Sequence, residues 1–142
     1  MKTSRLIAFL TVLAVLLSAQ VSRAAGIVII ANSSVQESSI DAGSIQKIFL
    51  GKKSTWSDGS KVIPVMLQSG ATREAFLKDF VQKSESDFKT FWMQNIFAGK
   101  GTPPKNFNTE AELVKFVQDT PGAVGFVAAG TATGNTKTLA VK

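Results

Sequence analysis

The chain of 142 residues contains no cysteine and no histidine. Without cysteine, no disulfide can support the fold and no lipid-modified cysteine can tether the protein to a membrane. The chain also lacks the most common general base, a thiol nucleophile and the soft ligands that zinc prefers. A Ser–Lys mechanism stays open, but no motif indicates one. We therefore predict that the protein is not an enzyme and that it has no catalytic residue, metal site or cofactor.

The first 24 residues have the composition of a secretory leader. Two basic residues precede an apolar run over residues 6–19, and small residues follow at the two positions that a signal peptidase reads. The run is shorter than the about 20 residues that cross a bilayer, although an uncut membrane anchor is the alternative. We predict a signal peptide at 1–24. Because an exported protein without a tether needs a second membrane to retain it, we also predict a periplasmic location.

The basic character of the whole chain comes largely from this leader. Residues 1–24 carry three of the 16 basic residues and none of the 10 acidic ones, so the other 118 residues have a formal net charge of +3 rather than +6. So small a charge does not indicate a nucleic-acid partner, and export argues against one as well. A length of 118 residues is typical of one domain, which we place at 25–142.

Apolar runs and helical periodicities alternate along this domain. Continuous β-branched runs predict buried strands, and an i, i+3, i+4 spacing predicts helices with one core-facing side. The predicted strands lie at 27–31, 62–67 and 123–127, with a weaker one at 138–141. The predicted helical stripes run over 45–49, 76–81, 88–96 and 113–117. This order predicts an α/β domain, a single three-layer lobe with a mixed sheet of about four strands.

Several positions predict local features of these elements. Pro64 has no N–H to donate to a neighbouring strand, so its strand should lie near a sheet edge or carry a bulge. A short polar residue precedes each helical stripe and can cap the helix. The candidate caps are Asp41 or Ser44, Ser69, Ser84 and Thr109.

Three loops with small hydroxyl side chains follow the three main strands. Their sequences are Asn32-Ser33-Ser34, Gln68-Ser69-Gly70-Ala71-Thr72 and Ala128-Ala129-Gly130-Thr131. In open α/β sheets, ligands bind beyond the carboxyl ends of the strands, so we predict that these loops meet around one ligand. The middle loop opens a helix, and the free N–H groups and positive dipole end there attract an anion.

Arg73 supports an anionic ligand. It lies in the first turn of that helix, where a positive charge opposes the helix dipole by about 0.3–1 kcal/mol. It also shares a helix face with Phe76 and Leu77, so it points toward the domain. A bound oxyanion would offset both costs through two hydrogen bonds. The alternative is that Arg73 pairs with a nearby carboxylate such as Glu74 or Asp41.

Three stretches resemble the phosphate-binding, type 2 periplasmic solute-binding proteins over about residues 27–130. They are IQKIFLGKKSTWSDGSKVIPV, REAFLKDF and PGAVGFV. In that family an Ile-Phe-x-Gly-Lys helix end is followed by Trp and an acidic turn. A strand, a Ser-Gly-Thr loop that opens a helix, and a Pro-Gly-x-x-Gly-aromatic strand come afterwards. The resemblance implies a binding protein that holds phosphate with hydroxyls, backbone N–H groups and an arginine, and hands it to an ABC importer.

Two departures separate this chain from the family pattern. Ser69, Gly70 and Thr72 match the loop with Ala71 as an insertion, but the family's arginine and aspartate before the loop are missing. Arg73 could substitute for that arginine from a different position. The family has two lobes that close on the ligand, whereas this chain is long enough for one. A phosphate held from one side keeps part of its hydration, so affinity should be lower unless a second copy or another protein completes the site.

The leading prediction is an exported single-lobe relative that binds phosphate or a similar oxyanion and serves ABC-type phosphate uptake. Its predicted partners are the anion, an importer membrane subunit or a second copy of itself. The predicted ligand contacts are Ser33, Ser34, Ser69, Gly70, Thr72 and Arg73. The alternative is a periplasmic protein-interaction module on the same lobe that has lost ligand binding.

Overall fold

The computed structural model describes residues 26–142, so the predicted leader lies outside the described residues. The described chain is a mixed α/β fold, as predicted. Its elements are β1 (Ile27–Ala31), β2 (Ser39–Ile40), α1 (Ala42–Phe49), β3 (Ile63–Leu67), α2 (Ala71–Phe76), a π-helical segment (Leu77–Val81), α3 (Glu85–Phe97), β4 (Lys105–Phe107), α4 (Glu110–Asp119), β5 (Ala123–Ala128) and β6 (Lys137–Val141).

The strands form one mixed sheet in the order β2-β6-β1-β5-β3-β4. β1 is antiparallel to both of its neighbours, β5 and β6. The β2–β6, β3–β4 and β3–β5 pairs are parallel, so all the other strands run opposite to β1. The described residues form six strands rather than about four, because β2 and β4 span only two and three residues and have no apolar pattern to mark them.

Helices cover both faces of the sheet, which confirms the three-layer arrangement. Adjacent strand residues point to opposite faces, and Gly125 and Phe126 in β5 show what covers each one. A Cβ at Gly125 would lie 3.0 Å from the Leu113 side chain of α4. The ring of Phe126 stacks on Phe76 of α2 at 3.8 Å and meets Phe49 of α1 edge-on at 6.3 Å. These aromatic rings are fully buried at the centre of the core.

The predicted caps are confirmed at three helices and wrong at one. The side chains of Asp41, Ser84 and Thr109 accept hydrogen bonds from backbone N–H groups in the first turns of α1, α3 and α4. At α2 the cap is Gly70 and not Ser69. Gly70 has a φ of 101°, and no side chain caps the helix there. Glycine adopts this backbone conformation with little strain, so the loop can turn sharply into the helix.

Two further predictions concern exposure and strand position. Ile96 was expected to face the core, but it is 54% exposed near the end of α3. The expectation for Pro64 is confirmed, because β4 pairs with β3 only from Val65 to Leu67. No strand pairs with β3 at Pro64 on the β4 side. The N–H that proline lacks would therefore have had no strand partner there.

The helices at residues 26–142 can be compared with the length and apolar character of a membrane-spanning helix. None of the helices in this described part of the chain combines the length and the apolar character needed to cross a bilayer.

Candidate functional site

The carboxyl edge of the sheet brings together most of the predicted contacts. β3, β4 and β5 are parallel and end at this edge, and α2 and α4 begin there. Ser69, Gly70, Thr72 and Arg73 all belong to the β3–α2 connection. The loop after β5, which includes Thr131, also leaves the sheet at this edge. Two of the three predicted loops are therefore on the same edge.

The prediction that the first loop joins them is wrong. β1 is antiparallel to β5, so Ala31 at its end pairs with Val124 near the start of β5. Ser33 and Ser34 consequently lie at the amino edge, at the other end of the sheet. A continuous apolar strand does not reveal its direction in a sheet, and the prediction had taken β1 as parallel to its neighbours.

The polar groups of the first loop stabilise the fold. Asn32 is buried, and its side-chain amide donates to the carbonyl oxygens of Val117 (2.8 Å) and Gln118 (2.9 Å). These carbonyls belong to the last turn of α4, where no intrahelical donor reaches them. The Asn32 amide therefore caps the carboxyl end of α4. The side-chain oxygen of Asn32 accepts a hydrogen bond from the Ser34 N–H at 2.9 Å.

Gly122 connects the same loop to the segment before β3. Its N–H donates to the Ser34 hydroxyl at 3.2 Å, and its carbonyl accepts from the Trp56 indole and the Ile63 N–H, each at 3.0 Å. Trp56 is buried, so the aromatic residue of the WSDG segment holds this segment against the start of β5. No local pattern in the sequence indicates this link, because Trp56 and Gly122 are 66 residues apart.

An acidic residue also contributes to the amino edge. The Glu37 carboxylate accepts the Ser57 N–H at 2.8 Å. Burial tends to raise the pKa of Glu37, but hydrogen bonding from Ser57 outweighs it and leaves the pKa below its usual value. The carboxylate is thus stabilised in its charged form by the loop that it holds.

The β3–α2 loop leaves its donors free. Ser69 and Gly70 are exposed and Thr72 is half-buried. Among the described residues, no protein group accepts from the N–H groups of Ala71, Thr72 and Arg73, and the first turn-closing bond runs from the Glu74 N–H to the Gly70 carbonyl. Such a turn offers several N–H donors and the positive end of the helix dipole to an anion.

Arg73 points inward as predicted, but its partner is a carboxylate that sequence reasoning missed. The side chain is 7% exposed, and its Nε and Nη2 donate to Glu85 at 2.8–3.1 Å. Its Nη1 donates to the Leu67 carbonyl at 2.7 Å and to the Asn106 side chain at 3.0 Å. Neither Glu74 nor Asp41 takes this role. The sequence marked Glu85 in one way only: it directly follows the Ser84 cap and therefore lies in the first turn of α3, where an acidic residue is favoured.

Glu110, the first residue of α4, contacts the loop after β5. Its carboxylate accepts from the Ala128 N–H at 3.1 Å and from the Thr131 hydroxyl. This part of the edge therefore already holds a negative group, which leaves the β3–α2 loop as the open donor set. Within residues 26–142, acidic side chains form no group of three that could hold a metal ion.

Comparison with solved structures identifies proteins of the same fold. A phosphate-transport receptor of ABC type from Vibrio cholerae matches with a TM-score of 0.57 and 15% identity, over 82% of this chain and 46% of that one. PstS from Borrelia burgdorferi matches with a TM-score of 0.62 and 14% identity, over 82% and 47%. A Clostridium perfringens protein assigned to the phosphate ABC transporter substrate-binding proteins, solved with bound phosphate, gives 0.61 and 16%, over 82% and 44%.

The two sequence comparisons give no match, either to a protein-family model or to a curated protein. The structural matches span less than half the length of the proteins that they match, and their identities are too low to show more than the fold. The described chain therefore has the same mixed α/β fold as one part of each of these three solved proteins.

Proposed function

We propose that this protein is an exported solute-binding protein for phosphate or a similar oxyanion, and that it serves ABC-type phosphate uptake. The observation that carries the proposal is the β3–α2 loop, whose N–H groups at Ala71, Thr72 and Arg73 have no acceptor among the described residues. The likeness to phosphate-transport proteins, one of which holds phosphate, supports the choice of anion.

The proposed contacts follow from the geometry of this loop. The hydroxyls of Ser69 and Thr72 can donate to an anion that sits in front of the helix, beside the free N–H groups. Gly70 has no side chain, so the anion can approach the backbone closely. Ser33 and Ser34 are left out because they lie at the other edge.

The contacts of Arg73 in the structure lead us to propose a different role for it from the direct anion contact that the sequence suggested. Its guanidinium contacts Leu67, the last residue of β3, and thereby fixes the start of the loop. Its charge is offset by Glu85, whose side chain is 53% exposed. Arg73 therefore positions the loop and contributes its backbone N–H to the anion, while the guanidinium adds a longer-range attraction that Glu85 weakens.

Contact from one side limits the affinity that we expect. An anion at the β3–α2 loop keeps water on its far side, where solvent screens the attraction. We propose that a second copy of the chain or a separate protein covers this side when phosphate is bound tightly.

Isothermal titration of residues 25–142 with phosphate tests the proposal. We expect a measurable affinity in the wild type and at least about tenfold weaker binding in Ser69→Asp, because a carboxylate there repels the anion. Ser33→Asp is the matched control, since it places the same charge on an exposed serine at the other edge. No heat up to millimolar phosphate, or equal weakening in both variants, would contradict the proposal.

A protein-interaction module is the second candidate function. It is favoured by an exposed apolar group at the end of α3, where Phe97 is 88% exposed beside Met93 and Ile96. The pairing of Arg73 with Glu85, which weakens the attraction for an anion, favours it too. Light scattering after size exclusion, with Phe97→Ser compared with the wild type, tests it: an assembly that Phe97→Ser disrupts, in a protein that does not bind phosphate, would support this candidate.

The leader at 1–24 and the periplasmic location remain part of the proposal. Expression of the full chain in a Gram-negative host followed by osmotic-shock fractionation and intact mass measurement tests both. We expect a periplasmic product that begins at Ala25. A cytoplasmic or membrane-bound product of full mass would overturn this part of the proposal.

A further inference from the structure

A cavity of about 480 Å³ lies at the amino end of β3, apart from the β3–α2 loop. β3 spans four residue steps from Ile63 to Leu67, so roughly 13 Å of strand separates its two ends. The cavity exists because β4 first pairs with β3 at Val65, which leaves Ile63 and Pro64 uncovered on that side. Its volume is within the about 300–1,000 Å³ of ordinary small-molecule sites.

The floor of this cavity is apolar. Ile63, Pro64 and Phe116 line it, and all three are half-buried, so each leaves part of its surface open to the cavity. Proline also presents no N–H that would need a polar partner. A ligand with an apolar body can remove this surface from water, which is favourable in proportion to the area covered.

The rim of the cavity is basic. Lys53, Lys61 and Lys105 line it, and no Asp or Glu does. Within residues 26–142, the ion pairs are Arg73–Glu85 and Lys115–Asp119, so none of the three rim lysines has a carboxylate within 4.0 Å. Asp41 is close enough to Lys53 for their charges to interact, but it does not line the cavity. Positive charges in a lining that has no carboxylate attract an anionic group.

Lys105 places one of these charges above the apolar floor. Its ammonium lies 4.9 Å from the centre of the Phe116 ring, which lines the cavity, and 5.3 Å from that of Phe107. Stacking of this kind holds a flexible lysine over aromatic rings. A carboxylate that paired with Lys105 would have its apolar part directed at Phe116.

We propose that this cavity is a second ligand site, which binds an organic anion with an apolar body, such as an aliphatic or aromatic carboxylate. The anionic group pairs with Lys105 at the rim, and the apolar body covers Ile63, Pro64 and Phe116. Inorganic phosphate lacks the apolar body and is not the ligand of this site. The site is independent of the proposed phosphate loop, which lies at the other end of β3.

Isothermal titration of residues 25–142 with decanoate and with 2-naphthoate tests this proposal. Decanoate has an aliphatic body and 2-naphthoate an aromatic one, so the two titrations show which kind of carboxylate the cavity binds. We expect at least one of the two compounds to bind with submillimolar affinity, and Lys105→Gln to weaken it about fivefold. Lys89→Gln removes the same charge from an exposed position on α3 away from the cavity, and should leave binding unchanged. No binding of either compound at millimolar concentration would overturn the proposal.

Three further arms test the shape and the independence of the site. Thr102→Trp puts a large ring at an exposed residue of the lining and should abolish binding, whereas Thr90→Trp on α3 should not.

1-Decanol has the same chain without the charge and should bind more weakly than decanoate; equal binding would contradict a role for the lysines. Saturating phosphate should leave the decanoate affinity unchanged, and competition would contradict two separate sites.

Discussion

The loops after β1 and β3 look alike in sequence, since each follows a buried strand and is rich in small polar residues. In the structure they differ in what their polar groups contact. Asn32 and Ser34 bond to α4 and to Gly122, so the first loop stabilises the fold. The second loop leaves the N–H groups at the start of α2 without protein acceptors in the described chain. Polar composition alone therefore does not separate a loop whose polar groups are bonded within the fold from a loop whose donors are left open.

The environment of each loop explains this difference. The first loop is at the amino edge, where the carboxyl end of α4 presents carbonyl oxygens that need donors. The second opens a helix itself and therefore presents N–H donors that need acceptors. A buried carbonyl can be satisfied by a neighbouring asparagine, whereas an exposed helix start can be left to water or to a ligand.

The largest effect should come from Gly122→Ala, which disrupts the contacts of the first loop. Gly122 has a φ of 80°, and a Cβ there would overlap the Lys61 carbonyl oxygen. The backbone has to shift, and the bonds to Ser34, Trp56 and Ile63 weaken with it. We expect a loss of about 4 kcal/mol in the free energy of unfolding, measured with urea.

Gly59→Ala is the matched control for this change. Gly59 has a similar φ of 85°, but no atom within 4 Å would meet its Cβ. Only the backbone strain remains, and it should cost about 1 kcal/mol. Equal losses in the two variants would show that the Gly122 contacts contribute little.

Asn32→Ala should give the next largest effect. It removes the donor from two carbonyls at the end of α4, one of them fully buried, and leaves each without a partner. We expect a loss of about 3 kcal/mol in the free energy of unfolding. Ser33→Ala, at an exposed neighbour, should change stability by less than about 0.5 kcal/mol. If Asn32→Ala were as mild as Ser33→Ala, the first loop would not have the structural role assigned to it.

Arg73→Met tests the second loop and should have the smallest of these effects on stability. Met retains most of the buried volume but removes the hydrogen bonds to Leu67, Asn106 and Glu85. We expect a loss of about 2 kcal/mol, since Glu85 can return to water while the Leu67 carbonyl loses its donor. Lys115→Met breaks an exposed i,i+4 pair with Asp119 and should cost less than about 0.5 kcal/mol. A stability equal to the wild type in Arg73→Met would mean that Arg73 does not hold the loop.

Much of the fold could be predicted because its signals are local. The run Ile27–Ala31 is apolar and β-branched, and Asp41, Ser84 and Thr109 precede amphipathic segments, so strand and caps follow from short-range chemistry. Ser69 was the exception. It has the right side chain for a cap, but the glycine after it lets the chain turn with a φ that places Gly70 at the cap position.

The candidate site was only half predictable. The β3–α2 loop and the inward direction of Arg73 follow from helix position and face. The Glu85 partner, twelve residues away, could not be inferred, because which carboxylate reaches a buried guanidinium depends on how α3 packs against α2. Glu110 shows the same difficulty: its position at the end of β5 follows from the packing of α4 on the sheet.

By itself, the sequence determined the helices and the four longer strands, where most helices begin, and that cysteine and histidine chemistry is absent, because these depend on composition and on neighbours a few residues apart. Only the tertiary structure decided the direction of β1, and with it which loops share an edge of the sheet. An apolar strand buries its side chains equally well in either direction, so strand direction is set by the path of the chain and by pairing with β5 and β6.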